Sequence, residues 1–236
     1  MKIVRLEIEG FRNFQERFVL ELRGPAGKPL DYLVLAGTNG SGKSTILDAI
    51  LFCLGREDLI CRPSLALNTK LALVLEDQAG LYQVGCTAFS PYKETPIKYF
   101  PPNKQSIPDL VLNQSSIDKL NAYWQDFRND GTTISIDQTN TLCLYKAENR
   151  ICSIHEMSSG EQAILALAVP LIHAPFKGIV LIDSPEHHLH PRWVGRIVRA
   201  LRKLAPEAQF IVATHADDPW EDAMSWERIN LTYQVT

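Results

Sequence analysis

The chain has 236 residues, with 24 Lys and Arg against 27 Asp and Glu for a formal net charge of −3, and it is 45% hydrophobic. That balance describes a soluble globular protein with a sizeable core. It excludes a disordered acidic tail, a collagen-like chain and a module whose positive charge alone would declare a nucleic-acid partner.

The opening MKIVRLEIEG mixes charged and apolar residues throughout and is unlike a secretory leader. Ile3 to Ile8 alternates apolar and charged side chains, the pattern of a half-buried strand. Phe11-Arg12-Asn13-Phe14 leads to a second alternating run near Phe18-Val19-Leu20, which Gly24-Pro25-Ala26-Gly27 breaks. Tyr32 to Ala36 is almost continuously apolar, as in a strand buried on both faces. A glycine-rich loop, Gly37 to Ser44, follows, and then a helical stretch to Leu54 with a stop at Gly55. Residues 56–150 are less periodic and carry most of the turn chemistry. Strand-like runs occur there at Leu71 to Leu75, Leu81 to Val84, Thr132 to Ile136 and Thr141 to Tyr145, with a helix from Ser116 to Phe127. From His155 the order is clear again: a capped helix near Ser158, a buried strand from Gly178 to Ile182, a helix from Pro191 to Leu204 and a strand from Gln209 to Ala213. The two ends are expected to build one parallel sheet with the middle as an insertion. Because the pieces that carry chemistry lie at both ends, a single domain over 1–236 is expected, divided into 1–55, an insertion at 56–150, and 151–236. Five cysteines with no CxxC pair suggest neither a disulfide framework nor a zinc ribbon, which points to a reducing, cytoplasmic setting. No run reaches the roughly 18 to 20 apolar residues of a membrane span, so no membrane partner is expected.

Gly37-Thr38-Asn39-Gly40-Ser41-Gly42-Lys43-Ser44 fits GxxxxGK[ST], with a strand before it and a helix after it. Glycines let successive backbone N–H groups point into one concavity around a phosphate, and the helix N-terminus adds the positive end of its dipole. Lys43 can reach the β and γ phosphates, and Ser44 offers a hydroxyl to Mg²⁺. Asn39, Gly40, Ser41, Gly42, Lys43, Ser44 and the adjoining Thr45 are therefore candidate nucleotide-binding residues. The strand from Gly178 ends in Asp183, a carboxylate at the sheet edge where ligands bind, able to hold Mg²⁺ through water. His215 follows the strand from Gln209 and can reach the γ-phosphate side. Ser158 and Glu161 have capping-box spacing. Ser158, Ser159 and Gly160 at a helix start also make an anion site, which a second subunit could use.

In this order the motifs resemble those of an ABC-type ATPase: Gly37 to Ser44 as Walker A, Ser158-Ser159-Gly160-Glu161-Gln162 as the signature, Val180 to Asp183 as Walker B and His215 as the switch histidine. The opening strand with Phe11-Arg12-Asn13-Phe14, and the run Asp183-Ser184-Pro185-Glu186-His187-His188-Leu189-His190-Pro191, resemble the SMC/RecF branch. Within that branch they are similar to the stand-alone OLD-like (overcoming lysogenization defect) ATPases. The resemblance covers residues 1–55 and 150–216. It implies an α/β P-loop NTPase with a mostly parallel central sheet, an N-terminal antiparallel portion and a short mixed insertion in place of a coiled coil. It implies ATP and Mg²⁺ as cofactors and a homodimer with ATP at the interface. Arg12 and Asn13 would lie near the nucleotide, with Ser158, Ser159, Gly160 and Gln162 meeting it from the other subunit. A partner effector, a nuclease or toxin encoded nearby, and a DNA repair or anti-phage defence setting are also implied. A transporter subunit is disfavoured by the same branch-specific runs.

The sequence departs from the family where a Glu should follow the Walker B Asp and Ser184 stands instead. A serine hydroxyl is a poor proton acceptor, and losing a positioned base typically costs about 10² to 10⁴ in rate. Slow hydrolysis, or substitution by Glu186 or His215, is expected. Residues 56–150 cannot supply a long coiled coil, and no nuclease domain is expected beyond them, so any cutting is expected to fall to a partner. Gln83 is a candidate Mg²⁺-sensing glutamine, with Gln78 as the other choice. Asn103-Lys104-Gln105-Ser106 lacks the Asp of a guanine-reading motif, so ATP is preferred. The histidines of 187–190 fall within the LHP pattern, and no Cys or carboxylate cluster completes a metal site. Arg192, Arg196, Arg199 and Lys203 share a helix face opposite Val194, Ile197, Val198, Leu201 and Leu204. Such a stripe suits either solvent or DNA phosphates.

Overall fold

The computed structural model describes residues 1–61, 64–85, 95–102, 112–128, 130–172, 175–189, 191–215 and 223–233. In chain order the elements are β1 (Lys2–Glu9), β2 (Phe18–Glu21), β3 (Tyr32–Ala36), α1 (Lys43–Cys53), β4 (Lys70–Glu76), β5 (Leu81–Gly85), β6 (Ile97–Phe100), α2 (Gln114–Gln125), β7 (Thr132–Ile136), β8 (Leu142–Lys146), β9 (Asn149–Ser153), α3 (Ser159–Ile172), β10 (Ile179–Asp183), α4 (Pro191–Leu204), β11 (Gln209–Thr214) and β12 (Arg228–Asn230). They fall into two compact units: residues 1–100, 177–184 and 208–236 form one, and residues 101–176 and 185–207 the other. No helix among the described residues is long and apolar enough to cross a membrane.

The first unit holds a five-stranded sheet in the order β12-β3-β11-β10-β6, every pair parallel. Its central strands, β10 and β11, are buried at every residue, which accounts for their continuous apolar runs. A four-stranded antiparallel sheet, β2-β1-β4-β5, is the second layer. There β4 buries alternate residues, so only one face meets the core. α1 touches β4 and β5 of one sheet and β10 and β11 of the other, and every residue of it except Ser44 is buried. A helix enclosed on both sides has little need of a polar face. It ends in a Schellman arrangement, in which Gly55 at φ 66° donates to Phe52 and the Arg56 amide to Leu51. Gln209, 1% exposed, ties the layers together: its amide accepts from the Ile3 N–H at 2.7 Å and donates to the carbonyls of Ile3 and Leu30, both at 2.8 Å.

The α/β class, the parallel sheet and the antiparallel portion agree with the sequence reading, but the middle of the chain is not wholly an insertion. β4 and β5 pair beside β1, and β6 runs parallel to β10. Alternation reveals which face of a strand is buried but not which strand lies next to it.

The second unit packs α2, α3 and α4 with the antiparallel sheet β7-β8-β9. The Asn113 side chain caps α2 by accepting from the Ser116 amide at 2.9 Å. Asn121 meets both the N–H and the C=O of Ile134, joining α2 to β7. Trp124 is fully buried and donates to Thr132 Oγ1 at 3.1 Å.

Candidate nucleotide-binding site

The chain leaves β3 and turns through Gly37, Gly40 and Gly42, all at positive φ, before entering α1. All three positions favour glycine by backbone angle, and at Gly37 a Cβ would also stand 2.7 Å from Ser41 Oγ. At Gly42 (φ 95°) a Cβ would stand 2.8 Å from the Phe14 ring, whereas at Gly40 (φ 82°) the space above the backbone is open for 4 Å. The Lys43 ammonium, on a residue 3% exposed, donates to the Gly37 and Thr38 carbonyls at 2.7 and 2.8 Å. Ser41 and Thr45 are buried, and Asn39, Gly40 and Ser44 form an exposed rim. The first turn of α1 contains no acidic residue, so no carboxylate competes for its N–H groups and the positive end of its dipole. These features fit a phosphate ligand.

A tight turn at 11–14 leans on this loop. Phe11 and Phe14 exchange backbone hydrogen bonds at 3.0 and 2.9 Å, and Arg12 between them has φ 50°. Asn13 Nδ2 donates to the Gly40 carbonyl at 2.7 Å, and the Phe11 ring meets Phe52 edge-on at 5.6 Å. Arg12 forms an ion pair with Asp48 of α1, its guanidinium 5.0 Å from the centroid of the Phe11 ring. Burial pushes the Asp48 carboxyl above its usual value; Arg12 opposes that shift, and the charge of Asp183 adds to it. Sequence reading passed over Asp48. Its signal is a single carboxylate within α1, where all the residues around it are buried.

Asp183 ends β10 with 3% exposure. Ser184 takes the left-handed conformation (φ 50°); its amide donates to the Ala213 carbonyl at 2.8 Å and its hydroxyl to Asp183 Oδ1 at 3.2 Å. The Ser184 hydroxyl thus serves the Asp183 carboxylate. His215 follows β11 and is half-buried. Tyr99 on β6 lies in register with Leu181, and burial, with the charges of Asp183 and Asp48 adding to it, holds its phenol protonated far above the usual range. Gln83 is exposed on β5, the last strand of the antiparallel sheet. Residues 103–106 and His190 lie outside the described residues.

In the second unit, Ser158 and Glu161 form the capping box. The Ser158 amide and hydroxyl donate to Glu161 Oε2 at 2.9 and 2.6 Å, and the Glu161 amide donates back to Ser158 Oγ at 3.4 Å. The Ser158 hydroxyl is therefore engaged by the cap, while the exposed Ser159 and the half-buried Gly160 occupy the first turn of α3. Gln162 donates to the Met157 carbonyl at 3.1 Å. Arg128 forms an ion pair with Glu161 and lies 5.9 Å from the centroid of the Trp124 ring, so a residue of the middle segment is tied to the first turn of α3. Glu186 sits in a short 3₁₀ turn, Pro185–His188, and is half-buried. On α4, Arg196 and Arg199 are exposed, and Lys203 is exposed but paired with Asp126 at 3.1 Å; the Arg192 side chain lies outside the described set.

Among the described residues no group of three or more His, Cys, Asp or Glu could enclose a metal ion. A Mg²⁺ at this site would take Ser44 and Asp183 together with nucleotide phosphates, the usual way Mg²⁺ is bound.

Comparison with known proteins places this geometry. The chain is 32% identical over 114 residues to the Septu protein PtuA of Bacillus mycoides, covering 45% of the chain and 16% of that protein. It is 34% identical over 103 residues to the retron Vc95 probable ATPase of Vibrio cholerae, covering 38% of the chain and 20% of that protein. The chain thus spans a fifth or less of the length of either relative. Among solved structures, the SMC head domain from Thermotoga maritima superposes with a TM-score of 0.61 at 18% identity, covering 100% of this chain and 92% of that one. Residues 2–236 match the RecF/RecN/SMC N terminal domain, and the chain belongs to that family.

Proposed function

We propose that the protein is an ATP-binding, ATP-driven dimerising ATPase that hydrolyses slowly and acts with an effector protein or on DNA. The observation that carries this is the phosphate loop: a buried Lys43 held by the loop's own carbonyls at the mouth of an N-terminal helix turn that contains no carboxylate. In this reading Asn39 to Thr45 hold the nucleotide phosphates, with Arg12 and Asn13 beside them. Mg²⁺, when bound, would neutralise developing phosphate charge, and Ser44 and Asp183 are the residues that would hold it. Each ATP then lies between the loop of one copy and Ser158, Ser159, Gly160 and Gln162 of the other, with Ser159 and Gly160 meeting the phosphate because the Ser158 hydroxyl is occupied.

Ser184 supports slow turnover. A serine hydroxyl is a poor proton acceptor at neutral pH, and this one donates to the Asp183 carboxylate; Glu186 and His215 remain the candidate substitutes for a base. The same observation favours a second reading, an ATP-gated clamp that holds and releases an effector without hydrolysis. The partial likeness to a Septu protein and a retron ATPase supports an anti-phage defence setting, and the 183–191 run supports the OLD-like branch. DNA contact through Arg192, Arg196, Arg199 and Lys203 is weakened by the pairing of Lys203 with Asp126.

Light scattering with and without Mg-ATP, alongside phosphate release, tests these readings. A dimer that forms with ATP and turns over slowly supports the first, and one that forms with no turnover supports the second. Failure to bind nucleotide or to dimerise removes both. Rapid turnover abolished by Ser184→Ala would contradict the role given to Ser184.

A further inference from the structure

Asp48 lies one turn beyond Ser44 in α1 and is 8% exposed, in a helix whose core would accept an aliphatic side chain. A carboxylate buried there is costly unless paired, and replacing such a pair with apolar groups is often neutral or stabilising. Folding alone therefore gives this pair little reason to exist. Its partner, Arg12, belongs to the turn whose backbone is already pinned to the phosphate loop. Asn13 binds the Gly40 carbonyl, the Phe14 ring fills the space beside Gly42, and the Phe11 ring rests on Phe52. Those contacts place the Arg12 backbone but not its long side chain. Asp48 and the face of the Phe11 ring orient the guanidinium.

We propose that Asp48 is a positioning residue for nucleotide binding: it holds the Arg12 guanidinium beside the phosphate loop, so that an arriving triphosphate meets an oriented cation. This rests on the reading of Gly37 to Ser44 as the nucleotide site. An arginine fork fixed in advance loses less rotamer freedom when it meets a phosphate, and that saving appears as affinity. Asp183, at the end of β10, adds negative charge that Asp48 feels, and the Arg12 cation offsets it.

The test is the affinity of the full chain for a fluorescent ATP analogue with Mg²⁺, measured for wild type, Asp48→Asn, Asp48→Glu, Arg12→Ala, the Asp48→Asn/Arg12→Ala double variant and Lys43→Ala, with thermal unfolding of each. Asp48→Asn is expected to weaken binding about tenfold, the scale of one charge-assisted hydrogen bond. Arg12→Ala should lose at least as much. The double variant should bind no more weakly than Arg12→Ala, and Asp48→Glu should recover part of the loss. A merely structural role would lower the unfolding midpoint without that non-additivity or rescue. The proposal is overturned if Asp48→Asn binds like wild type, or if its loss adds in full to that of Arg12→Ala. Should Asp48→Asn not fold, Asp48→Glu against Arg12→Lys takes its place. Asp48→Glu must then bind more tightly than Arg12→Lys, which keeps the charge without the fork, and the reverse order overturns the proposal. Wild-type protein that binds no nucleotide overturns this inference together with the site reading. Loss of binding in Lys43→Ala, with Asp48→Asn unaffected, overturns the positioning role alone.

Discussion

Replacing Gln209 with Leu should uncouple the two sheets of the first unit. The Gln209 amide satisfies the N–H and C=O of Ile3 and the C=O of Leu30, all within 2.8 Å and all buried. Leucine fills a similar volume but satisfies none of the three groups. Each orphaned buried group costs about 1–3 kcal/mol, so the loss should be at least about 3 kcal/mol, a large part of the roughly 5–15 kcal/mol that holds a domain together. With a urea m-value of about 2 kcal/mol/M, the midpoint should fall by about 1.5 M. Gln209→Glu sharpens the test. A carboxylate can still accept from the Ile3 N–H, but it turns an oxygen toward two carbonyls, so its loss at neutral pH should be no smaller than that of the leucine variant. Urea denaturation followed by circular dichroism measures both. A midpoint for Gln209→Leu within about 0.3 M of wild type, at the same m-value, would refute the view that this amide is what joins the layers.

Gly42→Ala forces a Cβ to 2.8 Å from the Phe14 ring at φ 95°, so nucleotide binding should be abolished, as read by titration with a fluorescent ATP analogue. Asp137 has its carboxyl held down at about 2, first by the Thr139 hydroxyl and next by the Thr141 amide. Because its folded value lies below the unfolded value of about 3.9, the stability it contributes is present above pH about 4 and is lost as pH falls toward 2. Asp137→Asn should therefore flatten the acid-unfolding curve in that window. Arg128→Ala removes the ion-pair partner of Glu161 and should reduce stability by only about 1 kcal/mol. If Arg128 braces the signature, ATP-dependent dimerisation should fall while the ATP affinity of the monomer is unchanged, which light scattering and nucleotide titration together can read.

Much of the site was legible because its chemistry is local. The Gly37 to Ser44 loop announces itself through residues whose backbone angles and spacing are needed whatever surrounds them. Gly55 stops α1 for the same reason, and Asp183 ends a strand that reads as apolar throughout. The Ser158 and Glu161 spacing is satisfied as a cap within one helical turn. What was missed is not local. Asp48 looks unremarkable in sequence until Arg12, 36 residues earlier, is folded against it. Arg128 carries no motif, and only tertiary packing brings it to Glu161.

The sequence by itself therefore determined the strand, loop and helix of the phosphate site, the order of the motifs and the α/β class, since each rests on backbone preference or periodicity over a few residues. Tertiary structure alone decided that β4 pairs with β1 and β5 with β4, that β6 lies beside β10, and that the Ser184 hydroxyl faces Asp183. Those outcomes depend on which distant segments meet. A strand's periodicity shows which of its faces is buried, but the neighbour is chosen by the packing of the whole core.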